Sequence, residues 1–292
     1  MNILIVKLGA TGDVVRTTPL LEKLQGEVTW ITAAKNLPLL KNLRPRLHAL
    51  AWEQRDSVAG KTYDLVINLE DTLESCEFVQ PIKAGKIFGA FLGADGQMTY
   101  SEDSRGWFDL SLISRFGKAQ ADKLKLENRR TYQDLIFDGL KFSFRGEKYI
   151  LPAPAKTNLY GDVAIAPKAG AVWPMKNWAY YLDLKRELET RGFTVNILPD
   201  RGSLLEHLGD VKNHRVLVSG DSLPMHFGLG IGTRCVSLFT CTGPWEIFNY
   251  GIQTQITSPL LAEFFFKRGM DERAIRAISL AEVLAATLAQ LK

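Results

Sequence analysis

The chain has 292 residues, 46% of them hydrophobic and 23% charged, with a net charge of +4. That is the composition of a globular protein long enough for two domains with separate cores, and the charge is too small to mark a nucleic-acid partner. Cys76, Cys235 and Cys241 form no C-x-x-C pair, which excludes a disulfide framework and a cysteine zinc site and fits a reducing cytoplasm. The N-terminus runs straight into a strand pattern without a secretory flank, and no apolar run approaches the roughly 18 residues of a membrane span, so any membrane contact is expected to be peripheral.

Residues 2–8 are a branched apolar run closed by Gly9, which predicts a buried strand. Thr11 then reads as an N-cap, and Val14, Val15, Leu20, Leu21 and Leu24 keep helical spacing up to Gly26. A strand, a glycine turn and a helix would aim backbone N–H groups and a helix dipole at the carboxyl edge of a sheet, with Asp13 in the first turn. A dipole alone would also favour an acid there. Residues 27–32 predict a second strand, residues 36–42 a helix ended by Arg44-Pro45, and residues 63–69 another buried strand followed by a helix through Cys76 and Val79. This alternation predicts a parallel sheet with crossover helices.

Residues 85–117 interleave Gly, Asp, Ser and aromatics, which reads as a long insertion whose aromatics either pack on the sheet or stack on a sugar. Lys118, Lys123, Lys125, Arg129 and Arg130 form a loose basic stretch, expected on a solvated helix face, and residues 132–140 predict a further helix. The proline-rich segment 151–155 marks a domain boundary, giving domains 1–155 and 156–292. After it come predicted strands at 162–166, 194–198, 215–219 and 235–239, with helices at 178–191, 203–208 and 223–230. Ser279-Leu-Ala-Glu282 is a capping box for a closing helix with Val283, Leu284, Leu288 and Leu291 on one face.

Three stretches carry chemistry-bearing residues. The first is Lys7-Leu-Gly-Ala-Thr-Gly-Asp13, continuing through Arg16 and Thr17. In the second, Ala166 to Trp178, Gly170 would let the backbone approach a ligand and Lys176 stands before a helix with its ammonium free to reach a phosphate, with Trp173 and Trp178 as anchors. A solvated lysine is the plain alternative. The third, Ser219-Gly-Asp221-Ser-Leu-Pro-Met-His226, puts Asp221 and Ser222 at a helix N-terminus suited to a pyrophosphate, Asp221 itself reading as the helix cap. His226 reads as either a packed core histidine or a phosphate neighbour, and residues 240–243 end the next strand at the same edge. No D-x-D, Walker A, dinucleotide fingerprint or G-x-S-x-G elbow occurs, which argues against oxidoreductase, P-loop ATPase and α/β-hydrolase chemistry.

Taken together these stretches resemble the family 9 glycosyltransferases, the lipopolysaccharide heptosyltransferases and their relatives. Lys7-Leu-Gly-Ala-Thr-Gly-Asp13-Val-Val with Thr17-Thr-Pro-Leu-Leu is similar to that family's N-terminal signature, Pro174-Met-Lys176-Asn-Trp178 to its lysine-tryptophan motif, Asp221 to His226 to its D-T-G-x-x-H segment, and Phe239-Thr-Cys-Thr242-Gly-Pro244 to the F-G-x-T-x-P that follows. Here Ser222 and Leu223 stand in place of threonine and glycine, Thr240 in place of glycine, and Ala169 and Gly170 in place of hydroxyl residues.

The resemblance implies an α/β protein of the GT-B fold, two Rossmann-like domains facing each other across a cleft, with the acceptor handled by the first and a nucleotide-sugar by the second. It implies metal-independent, inverting transfer without a cofactor, of a heptose or related sugar, ADP-heptose being the expected donor, to a lipopolysaccharide core or other glycan or glycolipid acceptor. Such an acceptor would be met peripherally at the cytoplasmic face of the inner membrane. Asp13 would be the general base and Lys176 would offset charge on the leaving diphosphate. Gly170, Asp221, Ser222, Leu223, His226, Thr240 and Thr242 would bind the donor, and Gly9, Thr11, Gly12, Arg16 and Thr17 the acceptor. The alternatives are a GT-B sugar-nucleotide epimerase or hydrolase, and a non-catalytic nucleotide-sugar-binding scaffold.

Overall fold

The computed structural model describes residues 1–292 as two units, Met1–Pro152 and Ala153–Lys292. In the first unit β1 (Asn2–Val6), β2 (Glu27–Thr32), β3 (Leu47–Ala51), β4 (Thr62–Asn68), β5 (Lys83–Leu92) and β6 (Met98–Tyr100) form one sheet in the order β3-β2-β1-β4-β5-β6. All pairs are parallel except β5 with β6. Its helices are α1 (Thr11–Thr17), α2 (Leu20–Lys23), α3 (Leu37–Leu40), α4 (Leu73–Val79), α5 (Arg105–Phe108), α6 (Lys118–Glu127) and α7 (Tyr132–Gly139).

β1 sits in the middle because it is apolar on both faces. Ile3 and Ile5 enter one core cluster with Val14, Trp30, Tyr132 and Phe137, while Leu4 and Val6 enter another with Val58, Val66 and Val79. Burying each such side chain contributes about 2 kcal/mol, and a strand buried on both faces has no alternating pattern to lose. The expected single helix after it is two. Pro19 has no N–H for the ladder, so α1 ends at Thr17, where the Thr18 amide turns back to the Val15 carbonyl, and α2 restarts at Leu20. Gly26, at φ +117°, closes the segment where a Cβ would lie 2.1 Å from the Met1 carbonyl oxygen.

Three further expectations change. Residues 36–42 are a 3-10 turn, Ala34–Asn36, running into the short α3 rather than one helix. The supposed insertion contains most of the ten-residue β5, which begins at Lys83 and runs parallel to β4, and the hairpin to β6. Its aromatics pack: Phe88 and Phe108 are buried, Tyr100 stacks on Phe108, and Trp107 meets Tyr132 edge-on. Of the basic stretch, Lys118, Lys123 and Lys125 lie on α6, whose only buried residue is Ala121, while Arg129 and Arg130 follow the helix in the loop.

In the second unit β7 (Gly161–Ala166), β8 (Val195–Ile197), β9 (His214–Gly220), β10 (Arg234–Phe239) and β11 (Gln253–Thr257) form an all-parallel sheet in the order β11-β10-β9-β7-β8. The helices are α8 (Tyr181–Thr190), α9 (Leu204–Lys212), α10 (Leu223–Ile231), α11 (Leu261–Phe264), α12 (Glu272–Arg276) and α13 (Leu280–Leu291). α8 starts three residues later than expected because the Trp178 indole is held outside it, donating to the Ile278 carbonyl at 2.9 Å. Ser279 caps α13 by accepting the Glu282 amide, and Val283, Thr287 and Leu291 face the core. No helix is long and apolar enough to cross a membrane.

Candidate active site

In each unit the residues picked from the sequence gather at the carboxyl ends of the central strands. In the first unit β1 delivers Lys7 and β4, its parallel neighbour, delivers Glu70. The Lys7 ammonium donates to Glu70 Oε1 at 2.8 Å, and the same oxygen accepts the Leu8 amide at 2.6 Å and the Gly9 amide at 3.3 Å. Lys7 is buried, and burial opposes its charge. The carboxylates of Glu70 and then Asp13 outweigh that and hold its pKa above the ordinary lysine value.

Asn36 braces the other side of the same loop. Its amide donates to the Leu8 carbonyl at 2.7 Å and its oxygen accepts the Thr11 hydroxyl at 2.8 Å. Thr11 is therefore the first residue of α1 and not its cap; Ala10 occupies the cap position, and Asp13 reaches back to the Ala10 amide at 3.2 Å. Asp13 is half-buried, with Arg16 Nε 3.4 Å from its carboxylate. Its position in the first turn is what the helix dipole favours, and its open side is what a base needs.

The remaining residues expected to bind an acceptor differ in what they can offer. Gly9 and Gly12 are half-buried at the loop and first turn. Arg16 does not extend outward: its side chain is buried, with the guanidinium 4.0 Å from the centre of the Tyr132 ring. Thr17 has no hydroxyl to spare, since it donates to the Asp13 carbonyl at 2.6 Å and lies 2.7 Å from the Tyr132 hydroxyl inside the core. Burial pushes the Tyr132 phenol up to about 12.

In the second unit a 3-10 turn, Pro174–Lys176, follows Trp173. Met175 buries itself against Cys241 and Phe264, and its carbonyl accepts the buried Thr240 hydroxyl at 2.6 Å. Gly220, ending β9, has no Cβ where one would stand 2.8 Å from the Lys176 carbonyl oxygen, so the turn can lie against the strand end. That contact aims Lys176 at Asp221.

The Lys176 ammonium donates to the Asp221 carbonyl and to Asp221 Oδ2, both at 2.8 Å, and Thr242 Oγ1 donates to Oδ2 at 2.8 Å. The expected free lysine is thus a largely buried one, 12% exposed in its side chain. Asp221 is not the cap of α10 either; Ser222 occupies that position, with its hydroxyl turned to the Gly220 carbonyl at 3.3 Å. Burial would raise the Asp221 pKa, but Lys176, then His226, and the hydrogen bonds from Lys176 and Thr242 hold it well below the usual carboxylate range. His226 is buried on the first turn of α10. Pro224 has no N–H, so the donors at this helix start reduce to the amides of Ser222 and Leu223. Gly170 is exposed in the loop before Trp173.

An ammonium has three donors, and two of those on Lys176 go to Asp221. The third, with the two amides, makes a short cationic edge of the kind that takes a phosphate. Sequence reading passed over Glu70 and Asn36, which meet the loop from 61 to 63 and from 28 residues away in the chain. The one available signal was Glu70 itself, an acid just past a buried strand.

A cavity of about 380 Å³ lies apart from these residues, between the 3-10 turn Trp52–Val58 and α4, lined by Arg55, Val58, Glu74, Phe78 and Ile82 among others.

No protein-family model matches the sequence, and no curated protein matches it. Solved structures do match over nearly the whole chain. A glycosyl transferase family 9 protein from Veillonella parvula DSM 2008 superposes with a TM-score of 0.67 at 15% identity, covering 99% of this chain and 97% of that one. The Escherichia coli ADP-heptose lps heptosyltransferase II gives a TM-score of 0.66 at 15% identity, over 100% and 98% of the two chains. Escherichia coli heptosyltransferase WaaC, solved with ADP, gives 0.63 at 15% identity, over 99% and 100%. The resemblance carried by the sequence motifs and the likeness in structure point the same way, and the fold is the GT-B fold of the family 9 glycosyltransferases.

Proposed function

We propose that the protein is an inverting glycosyltransferase that moves a heptose or related sugar from a nucleoside diphosphate, ADP-heptose first among donors, to a hydroxyl of a lipopolysaccharide core or similar glycan acceptor. The observation that carries this reading is the Lys176–Asp221–Thr242 cluster beside the start of α10, an edge with one ammonium donor left for a phosphate. The solved relatives that bind ADP or an ADP-heptose analogue support adenine as the base and heptose as the sugar.

In this reading the acceptor hydroxyl oxygen attacks the anomeric carbon while Asp13 takes its proton. The bond from that carbon to the diphosphate oxygen breaks, the electron pair stays on the diphosphate, and Lys176 with the Ser222 and Leu223 amides offsets the charge that develops there. Asp221 keeps Lys176 aimed and ionised, and Thr242 fixes the Asp221 carboxylate. A glycolipid acceptor would bring the first unit to the cytoplasmic face of the inner membrane.

Incubation with nucleoside diphosphate heptoses and a lipopolysaccharide-core oligosaccharide, followed by phosphorus and proton NMR, tests the proposal. Release of the diphosphate coupled to a product of inverted anomeric configuration is expected. Diphosphate release without any glycoside would replace transferase by hydrolase.

A further inference from the structure

We propose that Glu70 is a positioning residue for the base, acting through Lys7 and the loop 8–10 on Asp13; this rests on the transferase reading for its catalytic meaning but not for its test. One carboxylate oxygen gathers three donors: the Lys7 ammonium and the amides of Leu8 and Gly9. The next amide along, Ala10, is the one Asp13 accepts from. The loop is therefore pinned at one end by Glu70 and at the other by Asp13, with Asn36 holding the Leu8 carbonyl between them.

The charges matter as much as the geometry. Among the groups around Asp13 are Lys7 from β1, Arg16 on its own helix and Tyr132 from α7, with Glu70 from the end of β4 lying against Lys7. Two are cations, and a carboxylate beside two buried cations becomes a weak base. Glu70 answers one of them. Its side chain is only 12% exposed and it lies against the Lys7 ammonium, so Glu70 takes the larger share of the Lys7 charge and Asp13 the smaller. The burial of the pair makes that compensation strong, since little solvent screens it.

Glu70→Gln keeps an oxygen for the Leu8 and Gly9 amides and removes the negative charge. Lys7 stays protonated throughout the range where carboxylates titrate, so its field then falls on Asp13. The readout is the titration of the Asp13 carboxyl by carbon-13 NMR on aspartate-labelled protein, the signal being assigned with Asp13→Asn. In Glu70→Gln the Asp13 midpoint should drop by about one pH unit, and in Glu70→Gln with Lys7→Met, which removes both charges, it should return to within a few tenths of the wild type. A transfer assay on the same proteins should show the acid limb of kcat moving with the Asp13 midpoint, with the donor KM unchanged. An Asp13 midpoint that stays in place in Glu70→Gln would overturn the inference, whether or not transfer is seen; loss of transfer in the wild type with the NMR shift intact would overturn the functional reading and leave the coupling standing.

Discussion

Each unit carries one buried lysine–carboxylate pair at the carboxyl edge of its sheet, and the two pairs are built alike but used differently. Lys7–Glu70 and Lys176–Asp221 both close at 2.8 Å, with side chains 7% and 12% exposed in the first and 12% and 15% in the second. In the first, the carboxylate collects backbone amides, and the pair braces the loop next to Asp13, the proposed base. In the second, the carboxylate collects the lysine and a threonine hydroxyl, and the lysine itself is the group held ready. An ion pair taken out of water gains little net stability. Its value here is orientation: the acid of one pair fixes a peptide, the acid of the other fixes a cation.

The largest effect should come from Asp13, where no other group can take its place. Asp13→Asn keeps the size of the side chain and should lower the transfer rate by about 10²-fold or more while leaving donor affinity nearly unchanged, because a base acts in the transition state. A variant that loses donor affinity in proportion would place Asp13 at the donor instead. Parallel measurement of single-turnover rates and donor binding separates the two.

Asp221→Asn probes the second pair by stability. It strands a buried ammonium and should cost about 3 kcal/mol at pH 7. Because the folded-state pKa of Asp221 lies below the ordinary carboxylate range, the wild-type advantage is fully present above that range and is lost as pH falls through it toward the depressed value. The gap between the two proteins in denaturant melts should therefore be widest at pH 7 and begin to narrow near pH 3, closing only toward the depressed value; a gap that does not change with pH would mean that packing, and not the charge pair, sets the difference.

Smaller effects should come from outside the pairs. Thr131 caps α7 with a reciprocal Asp134 contact, and Ser279 caps α13. Thr131→Ala and Ser279→Ala should each cost about 1 kcal/mol in thermal or denaturant melts and leave the transfer rate within twofold, which marks the background against which the pair variants are judged.

The fold was legible where burial makes a strand uniformly apolar. β1, β4, β7, β9 and β10 each carry such a run, and β2 shows Val28, Trp30 and Ile31 buried among polar residues. β3 reads Leu-His-Ala-Leu-Ala and is only partly buried at one edge of the first unit's sheet, and β11 reads Gln-Thr-Gln-Ile-Thr at an edge of the second unit's sheet, so neither carries a clear apolar run. β5 was hidden by Lys83, Gly85 and Lys86, whose exposure breaks the pattern over its first half even though Phe88 and Ala90 are in the core. The site shows the same division. Asp13, Lys176, Asp221 and Thr242 stand in local motifs, whereas Glu70 and Asn36, the partners that hold the loop beside Asp13, arrive by strand pairing and crossover. The lysine read as free is held by an acid 45 residues away.

The central claim is that the Lys176 edge receives a nucleoside diphosphate. Calorimetric titration of the wild type and of Lys176→Ala with ADP, GDP, UDP and CDP, and with ADP-heptose, tests it most directly. One diphosphate, ADP foremost, should bind selectively, and Lys176→Ala should weaken it about tenfold or more, the loss expected for one charge-assisted hydrogen bond to a phosphate. Binding of equal strength in the wild type and Lys176→Ala, or no binding across the panel, would contradict the account.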